Sequence, residues 1–346
     1  MPIKPAVIGL DISDTAIRLA VIERAGKKAI LKSYNDKKLS AGEIVNGEIK
    51  DAKKAVAAIK DLVSGAKGSK IKTDRIVSVL PEPKTYVKVI TVPQTDKDNM
   101  DETIRSEMVN HIPYSIEEVY YDWQLVHGGK QEKKIEVLIG VAPKKIVDDY
   151  TKLIEDANLI PLALEVEAAA LTRGIFFQSQ AEQTPSIVID FGASRTGLFV
   201  YDESLVQLTI SLPISGDAIT KTIADTLKID STKAEEAKIV CGLDEKKCKG
   251  ALRKVLHDNI ELLAAKIKDA QDFYANNYDH AHAISQVILT GGGSNFLNID
   301  NVLKEKLNIN VKIAALKDNI VVPKALPEHK IQSFNTAIGL SLRGNA

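Results

Sequence analysis

The feature that most restricts the fold of this chain is a weak internal duplication. Each half opens with an apolar strand that ends in an aspartate, Asp11 in one and Asp190 in the other. A short polar turn follows in both halves, and then a second apolar strand, Ile17–Ile22 or Thr196–Tyr201. Two related halves that face each other enclose a cleft, and ligands usually bind in clefts. The duplication therefore predicts two similar lobes with a binding site between them.

Length and composition narrow the class of protein further. The chain has 346 residues, enough for about two domains at ~150 residues each. Its 46 Lys and Arg balance 46 Asp and Glu, so it lacks the basic excess of a nucleic-acid binder. No stretch approaches the ~20 apolar residues of a membrane span, and the N-terminal apolar run is too short for a signal peptide. We therefore expect a cytoplasmic protein whose Cys241 and Cys248 are reduced.

Strand-like and helix-like segments alternate along the chain, which predicts an α/β protein. Three apolar stripes at three- and four-residue steps predict helices, the first with Asp51 as its N-cap. The third stripe, from Leu256 to Tyr274, is interpreted as a core-facing helix rather than an intermolecular coiled coil. Val- and Ile-rich segments bounded by Gly, Pro or Asp predict the strands Ala6–Leu10, Arg75–Leu80, Tyr86–Val92, Ile135–Ala142, Ser186–Asp190, Thr196–Tyr201, Val206–Ile210 and Gln286–Leu289.

The two polar turns are the best candidates for chemistry. Small residues let successive backbone N–H groups point into one space, and such a concavity binds phosphate oxygens. An aspartate before each turn suits a hydrated Mg²⁺, which keeps several waters and uses few carboxylates. Arg18 and Thr196 could add donors. The alternative is a pair of ordinary hairpins, since Asp, Gly and Ser also favour turns.

Two further segments support a ligand site. Three consecutive glycines, Gly291–Gly293, follow a predicted strand, and their conformational cost suggests close approach to a flat ligand such as a nucleobase. An ordinary glycine-rich turn is the alternative. The sequence Ser215-Gly216-Asp217 precedes a predicted helix whose N-terminus could face an anion. The chain contains neither GxxxxGK[ST] nor GxGxxG, which excludes a P-loop and a standard dinucleotide fold.

The hairpin pair, the TGGGSN turn and the order of elements resemble the actin-like ATPase superfamily. The segment from Val92 to Trp123, with His111-Ile112-Pro113-Tyr114, is similar to the inserted subdomain of the PilM family, as is the ending Ala337–Gly344 to its last helix. The resemblance implies an actin-like, ribonuclease H-like fold of two lobes with an insertion of the FtsA/PilM type. The implied divisions are a first lobe of residues 1–84 and 162–184, an insertion at 85–161, a second lobe of 185–214 and 284–346, and a helical subdomain at 215–283.

The resemblance also implies site residues for ATP and Mg²⁺. Asp11 and Asp190 match the two phosphate-loop aspartates and would hold the metal through water. Glu165 matches the acid that orients water or metal, which would make it catalytic, and Glu235 and Lys238 match the pair that holds ribose. The implied nucleotide contacts are Asp11, Ser13, Asp14, Thr15, Arg18, Asp190, Gly192, Ser194, Arg195, Thr196, Gly216, Glu235, Lys238, Gly291, Gly292, Gly293 and Ser294.

The first turn departs from the family pattern. Ser13 stands where glycine is usual, and Asp14 where a small hydroxyl residue is usual, so an extra negative charge lies near the expected phosphates. ATP binding is therefore the expectation, and hydrolysis is left open.

PilM family members belong to the type IV pilus assembly platform, so the resemblance implies partners. The insertion and the neighbouring lobe would form a groove for the cytoplasmic N-terminal tail of PilN, with Ile112, Pro113 and Tyr114 as anchors. Packing of these residues on their own sheet is the alternative. Other platform and motor proteins, attachment to the inner membrane through partners, and self-association are also implied. The competing functions are an ATPase or sugar kinase, an FtsA-like cell-division protein, and a component of a type II secretion platform.

Overall fold

The computed structural model describes residues 6–25, 28–127, 133–178, 184–314, 316 and 320–343. Its strands are β1 (Ile8–Ile12), β2 (Ala16–Ala25), β3 (Lys28–Lys38), β4 (Ile44–Val45), β5 (Glu48–Ile49), β6 (Lys67–Gly68), β7 (Arg75–Leu80), β8 (Tyr86–Pro93), β9 (Val119–His127), β10 (Lys134–Pro143), β11 (Ile160–Val166), β12 (Ser186–Phe191), β13 (Thr196–Asp202), β14 (Leu205–Leu212), β15 (Gln286–Thr290), β16 (Asn310–Ile313) and β17 (Ile320–Val321). Its helices are α1 (Ala52–Ser64), α2 (Lys97–Met108), α3 (Lys144–Asp156), α4 (Glu167–Phe176), α5 (Gly216–Leu227), α6 (Ser231–Cys241), α7 (Ala251–Val255), α8 (His257–Asn277), α9 (Ile299–Leu307), α10 (Glu328–Ile331) and α11 (Asn335–Arg343).

Two large sheets contain the duplicated hairpins. The first sheet has the order β11-β7-β1-β2-β3-β17, with β6 also paired to β3, and we call it with its helices the first lobe. The second has the order β16-β15-β12-β13-β14-β8-β10-β9. In the first sheet β1 is antiparallel to β2 and parallel to β7, and in the second β12 is antiparallel to β13 and parallel to β15. The predicted duplication is therefore present as two equivalent arrangements of strands.

Local sequence patterns located most of these elements. Strand β7 has the predicted bounds, β2 extends three residues beyond the predicted end at Ile22, and the other predicted strands are found with ends shifted by one or two residues. The Asp51 side chain accepts a hydrogen bond from the backbone N–H of Lys54 at 3.1 Å, which confirms the N-cap of α1. Helix α8 buries Ile260, Leu263 and Ile267 against the second sheet, which confirms a core-facing helix. Strands β3, β9, β11 and β16 were not predicted, nor were the two-residue strands β4, β5, β6 and β17.

The C-terminal part of the chain packs differently from the predicted division. Residues 284–346 were assigned to the second lobe, but β17 pairs with β3 and α11 packs against β1, β2 and α4. The Ser341 hydroxyl donates to the Val7 carbonyl at 2.8 Å and accepts from the Ile22 amide at 2.9 Å. The glycines Gly9, Gly174 and Gly339 allow this close approach, because a Cβ on any of them would collide with backbone atoms. Residues 320–343 therefore complete the first lobe.

The insertion is smaller than predicted. Helix α3 lies within the predicted segment 85–161, but Tyr150 and Leu153 of α3 pack with Ile59 of α1 in the core of the first lobe. The remaining elements, β8, α2, β9 and β10, form what we call the inserted subdomain. Its strands extend the second sheet through one residue pair, Lys88 of β8 with Leu208 of β14.

Two other sequence expectations concern cysteines and membranes. The expectation of reduced thiols is wrong in this structure, because Cys241 and Cys248 are joined by a disulfide with Cα atoms 5.7 Å apart. Among the described residues, no helix combines the length and apolar character needed to cross a bilayer.

Candidate functional site

Side chains from both sheets meet where parallel strands end. Asp11 is the last residue but one of β1, Glu82 lies two residues after β7 and Glu167 directly follows β11, and these three strands are parallel neighbours. In the second sheet, Asp190 is the last residue but one of β12 and lies beside Gly291, which follows β15. The carboxyl ends of parallel strands are the usual place for ligands in α/β folds. All five residues line one cavity of about 140 Å³ between the two lobes.

This cavity brings together much of the predicted nucleotide site. The predicted residues that line it are Asp11, Ser13, Thr15, Arg18, Asp190, Gly192, Ser194, Arg195, Gly291 and Gly292. The predicted residues that do not line it are Asp14, Thr196, Gly216, Glu235, Lys238, Gly293 and Ser294. Their individual contacts explain the difference.

The first turn is closed by its own side chains. The Ser13 hydroxyl donates to the Ala16 carbonyl at 2.8 Å, so this serine stabilises the turn in place of a glycine. The Asp14 carboxylate accepts the backbone N–H groups of Asn46 and Gly47 at 3.0 and 2.9 Å. The additional charge of Asp14 is thus satisfied by the β4–β5 hairpin.

The second turn is tied to helix α5. The Gly192 N–H donates to the Arg195 carbonyl at 3.0 Å, while the carbonyls of Gly192 and Ala193 accept the N–H groups of Gly216 and Asp217 at 3.0 and 2.9 Å. The Ser215 hydroxyl accepts the next amide of the helix, from Ala218, at 3.1 Å. The expectation that this helix N-terminus faces an anion is therefore wrong, because its first three amides already bond to protein oxygens.

Two of the three consecutive glycines are required by packing. Gly291 has φ of +76°, and a Cβ there would lie 2.3 Å from the Asp190 carboxylate. A Cβ on Gly293 would lie 2.5 Å from the Phe191 ring. A Cβ on Gly292 would meet no described atom within 4 Å, and this residue lines the cavity. Ser294 is buried, and its hydroxyl donates to the Gly291 carbonyl at 2.8 Å.

Glu165, the predicted catalytic acid, lies outside the cavity. Its buried carboxylate accepts hydrogen bonds from Arg173 at 2.8 and 3.0 Å and contacts Arg343 as well. Of the two neighbouring acids Glu165 and Glu167, the one that lines the cavity is Glu167, the first residue of α4. The boundary between β11 and α4 after Val166 decides which acid faces the cavity. Glu82 was also missed, although an acid two residues after the end of β7 was a usable signal.

Glu235 and Lys238 share a face of α6, as their spacing predicted. They form an ion pair at 2.6 Å, and the Lys238 ammonium also donates to the Gly216 carbonyl at 3.1 Å. The pair therefore lies at the α5 corner that adjoins the second turn. Thr196 is fully buried in β13.

The cavity contains more acids than bases. Burial raises the pKa of Asp11, against the opposing effect of Arg18 at 3.2 Å. Burial, and then the charge of Asp11, raises the pKa of Asp190 to about 7. Burial, and then the charges of Asp190 and Asp11, raises the pKa of Glu167 well above its usual value. With Glu82, four carboxyls face two guanidiniums, so the site at neutral pH favours a proton or a cation.

This excess of carboxyls predicts a pH dependence of stability. The pKa of Asp190 is about 7 in the folded protein, against an ordinary value of 3.8. The protonated carboxyl of Asp190 therefore makes its full contribution to the free energy of unfolding below about pH 4. This contribution is lost as the pH rises through about 7. We expect the ligand-free protein to melt at lower temperature at pH 8 than at pH 5.5, with a shallower dependence in Asp190→Asn. If the melting temperatures of the wild type and of Asp190→Asn changed equally with pH, Asp190 would not be the source of the pH dependence.

The residues fit a hydrated divalent cation that arrives with an anionic ligand. The buried Glu82 carboxyl lines the cavity, and its Oε2 atom has no hydrogen-bond partner among the described residues. Within the same part of the chain, no group of three or more His, Cys, Asp or Glu side chains is arranged to hold a metal. A metal such as Mg²⁺, which uses few protein carboxylates and retains waters, suits this donor set better than a fully protein-ligated ion.

Two lobes with equivalent hairpins and a cavity between them define the actin-like ATPase fold. The structure of MreB5 of Spiroplasma citri bound to ADP shares it, with a TM-score of 0.55, 13% identity and coverage of 99% of this chain and 96% of that one. The chain belongs to the type IV pilus assembly protein PilM family, whose sequence profile matches residues 9–345.

Two further proteins are similar to this chain. The structure of the PilM-PilN type IV pilus biogenesis complex matches with a TM-score of 0.83 and 21% identity, over 99% of both chains. Cell division protein FtsA of Enterococcus hirae is 26% identical over 348 residues, which cover 88% of this chain and 77% of FtsA. The predicted fold and family are therefore confirmed.

Proposed function

We propose that this pilus assembly protein is a nucleotide-binding scaffold that holds magnesium–ATP between its lobes and the cytoplasmic N-terminal tail of PilN on its inserted subdomain. The observation that carries the nucleotide part is the convergence of Asp11, Glu167 and Asp190 in one cavity at the carboxyl ends of parallel strands. The same fold holds ADP and AMPPNP in MreB5. The proposed location is the cytoplasmic face of the inner membrane, through partners.

The residues of the cavity suit the parts of a nucleotide. Asp11 and Asp190 would hold the metal through water, and Arg18 and Arg195 would contact phosphate oxygens. Gly292 would lie beside the adenosine. When bound, the magnesium ion would supply the positive charge that the carboxyl cluster lacks. Glu167 replaces Glu165 as the acid able to orient water.

The cavity must open to admit such a ligand. It encloses about 140 Å³, whereas sites for molecules of drug size commonly enclose about 300–1,000 Å³. We infer that the two lobes lie closer together here than in the nucleotide complex. Calorimetric titration with magnesium–ATP tests the proposal, and an absence of heat at millimolar nucleotide would overturn it.

A second cavity suits the PilN tail. A groove of about 650 Å³ lies between β9 and β10 of the inserted subdomain and β11 and α4 of the first lobe. Its apolar lining includes Tyr120, which is 47% exposed, together with Trp123 and Leu164. Arg173 and Arg343 lie on the same surface. An apolar groove with a few polar groups is a common way to capture a peptide.

The residues predicted to anchor the PilN tail lie outside this groove. Ile112 is buried with Met100 and Ile104 against the sheet of the inserted subdomain, and Tyr114 packs partly on the same cluster. Pro113 is exposed. None of the three lines the groove. Packing on their own sheet, the alternative to an anchor role, accounts for Ile112 and Tyr114.

Replacement of Tyr120 by alanine is expected to weaken binding of the PilN tail by about tenfold, because exposed aromatic side chains often dominate interfaces. A synthetic peptide of the cognate tail can be titrated while the fluorescence of Trp123, the single tryptophan, is followed. Pro113→Ala is the matched control and should bind as wild type does. Equal loss in both variants, or no loss in Tyr120→Ala, would contradict the assignment of the groove. Repeating the peptide titration in the presence of magnesium–ATP tests whether nucleotide and peptide binding are coupled. Equal peptide affinities with and without nucleotide would exclude coupling.

A further inference from the structure

One ion pair connects the turns of the two lobes across the cavity. Arg195 Nη2 of the second turn lies 3.5 Å from Asp14 Oδ1 of the first turn. Both side chains are mostly buried, with 20% and 13% exposure. The pair therefore spans the boundary that must widen if the lobes separate. By contrast, Arg18 pairs with Asp11 of its own lobe.

The two partners of this pair are held very differently. Asp14 is fixed by the N–H groups of Asn46 and Gly47, which bond to its two carboxylate oxygens at 3.0 and 2.9 Å. The β4–β5 hairpin is itself held in the first lobe, since the Tyr150 hydroxyl donates to the Gly47 carbonyl at 3.2 Å. Asp14 thus keeps hydrogen-bond partners when Arg195 leaves. The distance of 3.5 Å between Arg195 and Asp14 is long for a charge-assisted hydrogen bond. Arg195 is therefore the partner that can exchange its contact for another anion.

The surroundings of Arg195 suit the capture of an anion with its metal. Its positive charge lowers the pKa of Glu82, of Glu167 and of Asp190 against the effect of burial. It also lines the cavity, whereas Asp14 does not. A guanidinium binds phosphate in bidentate fashion, and phosphate offers it more acceptor oxygens than the one it has from Asp14.

We propose that the Arg195–Asp14 pair is a latch that holds the lobes together without ligand, and that Arg195 exchanges Asp14 for a phosphate group when a nucleotide enters. This inference rests on the proposed nucleotide function and names the positioning residues that regulate it. It accounts for an acid at position 14, because Asp14 competes with phosphate for Arg195. Opening of the lobes and capture of phosphate then use the same side chain.

The test is a double-mutant cycle read by calorimetry with magnesium–ADP and magnesium–ATP. Asp14→Asn should tighten binding by about three- to tenfold, because it removes the charge that holds Arg195, and its single amide oxygen still accepts one of the two hairpin N–H groups. Arg195→Gln should weaken binding by about tenfold. In the double variant the gain from Asp14→Asn should disappear. If Asp14→Asn still tightened binding in the absence of Arg195, the cause would be simple repulsion between Asp14 and phosphate, and the latch would be overturned. Unchanged affinity in Asp14→Asn would also overturn it.

A second measurement needs no nucleotide. The radius of gyration from small-angle X-ray scattering should be larger in Asp14→Asn and Arg195→Gln than in wild type, and Arg195→Lys should restore the wild-type value. Equal values in all four proteins would overturn the latch. If wild type binds no nucleotide, the proposed function fails instead, and the scattering data alone decide whether the pair holds the lobes together.

Discussion

Replacement of Asp190 by asparagine is expected to weaken magnesium–ATP binding at pH 8 by about 10- to 100-fold, while the protein remains at least as stable to heat. The carboxyl of Asp190 has a pKa raised to about 7 by burial and by Asp11. At pH 8 it carries a charge that is costly in the empty cavity and that attracts the metal when the ligand arrives. Asparagine has the same shape without the charge, so it removes the cost and the attraction together.

Calorimetry and thermal denaturation at pH 8 measure both parts of this prediction. Asp272→Asn is a matched control, because Asp272 is exposed on α8 and the same change there should alter neither property. An unchanged dissociation constant in Asp190→Asn would contradict the role of the cavity. A destabilised variant would contradict the claim that the buried charge costs stability.

Replacement of Gly339 by alanine is expected to destabilise the protein by about 3 kcal/mol, which lowers its melting temperature by about 4 °C. A Cβ at this position would lie 1.7 Å from the carbonyl oxygen of Ala170 in α4, and both atoms belong to packed backbone that cannot rotate away. Helices α11 and α4 would have to separate. Because Thr336 of α11 lines the cavity and Arg343 lines the groove, the change would disturb both sites.

Gly140→Ala is the control for this prediction. The nearest atom to a Cβ on Gly140 is 4.0 Å away, so the same substitution fits without movement. It should change stability by less than about 1 kcal/mol, and in either direction. Thermal denaturation of both variants at one pH checks the contrast. If Gly339→Ala had the melting temperature of the wild type, α11 would not pack closely against α4 at this position.

The position of α11 gives the two candidate sites a shared support. Its Thr336 end faces the cavity and its Arg343 end faces the groove, and it packs against α4, which begins with Glu167. A change in the separation of the lobes would therefore shift a helix that also borders the proposed peptide groove. This shared helix is a physical basis on which nucleotide and PilN could influence each other, and the paired titrations measure it.

The amino-acid sequence by itself determined the local features of this protein. The strands that contain Asp11 and Asp190, the turns that follow them and the N-cap Asp51 depend on neighbours in the chain, so alternation, turn residues and capping residues were enough to locate them. The sequence also carried the resemblance to the PilM family, which the match over residues 9–345 confirms.

The tertiary structure alone decided which distant residues meet. Glu82 and Glu167 join Asp11 because β7 and β11 lie parallel beside β1, and such pairings between non-consecutive strands leave little trace in local sequence. Glu165 was chosen in place of Glu167 because only the end of β11 shows which acid faces the cavity. The return of α11 to the first lobe likewise depends on close contacts at Gly339, far along the chain from the residues it meets.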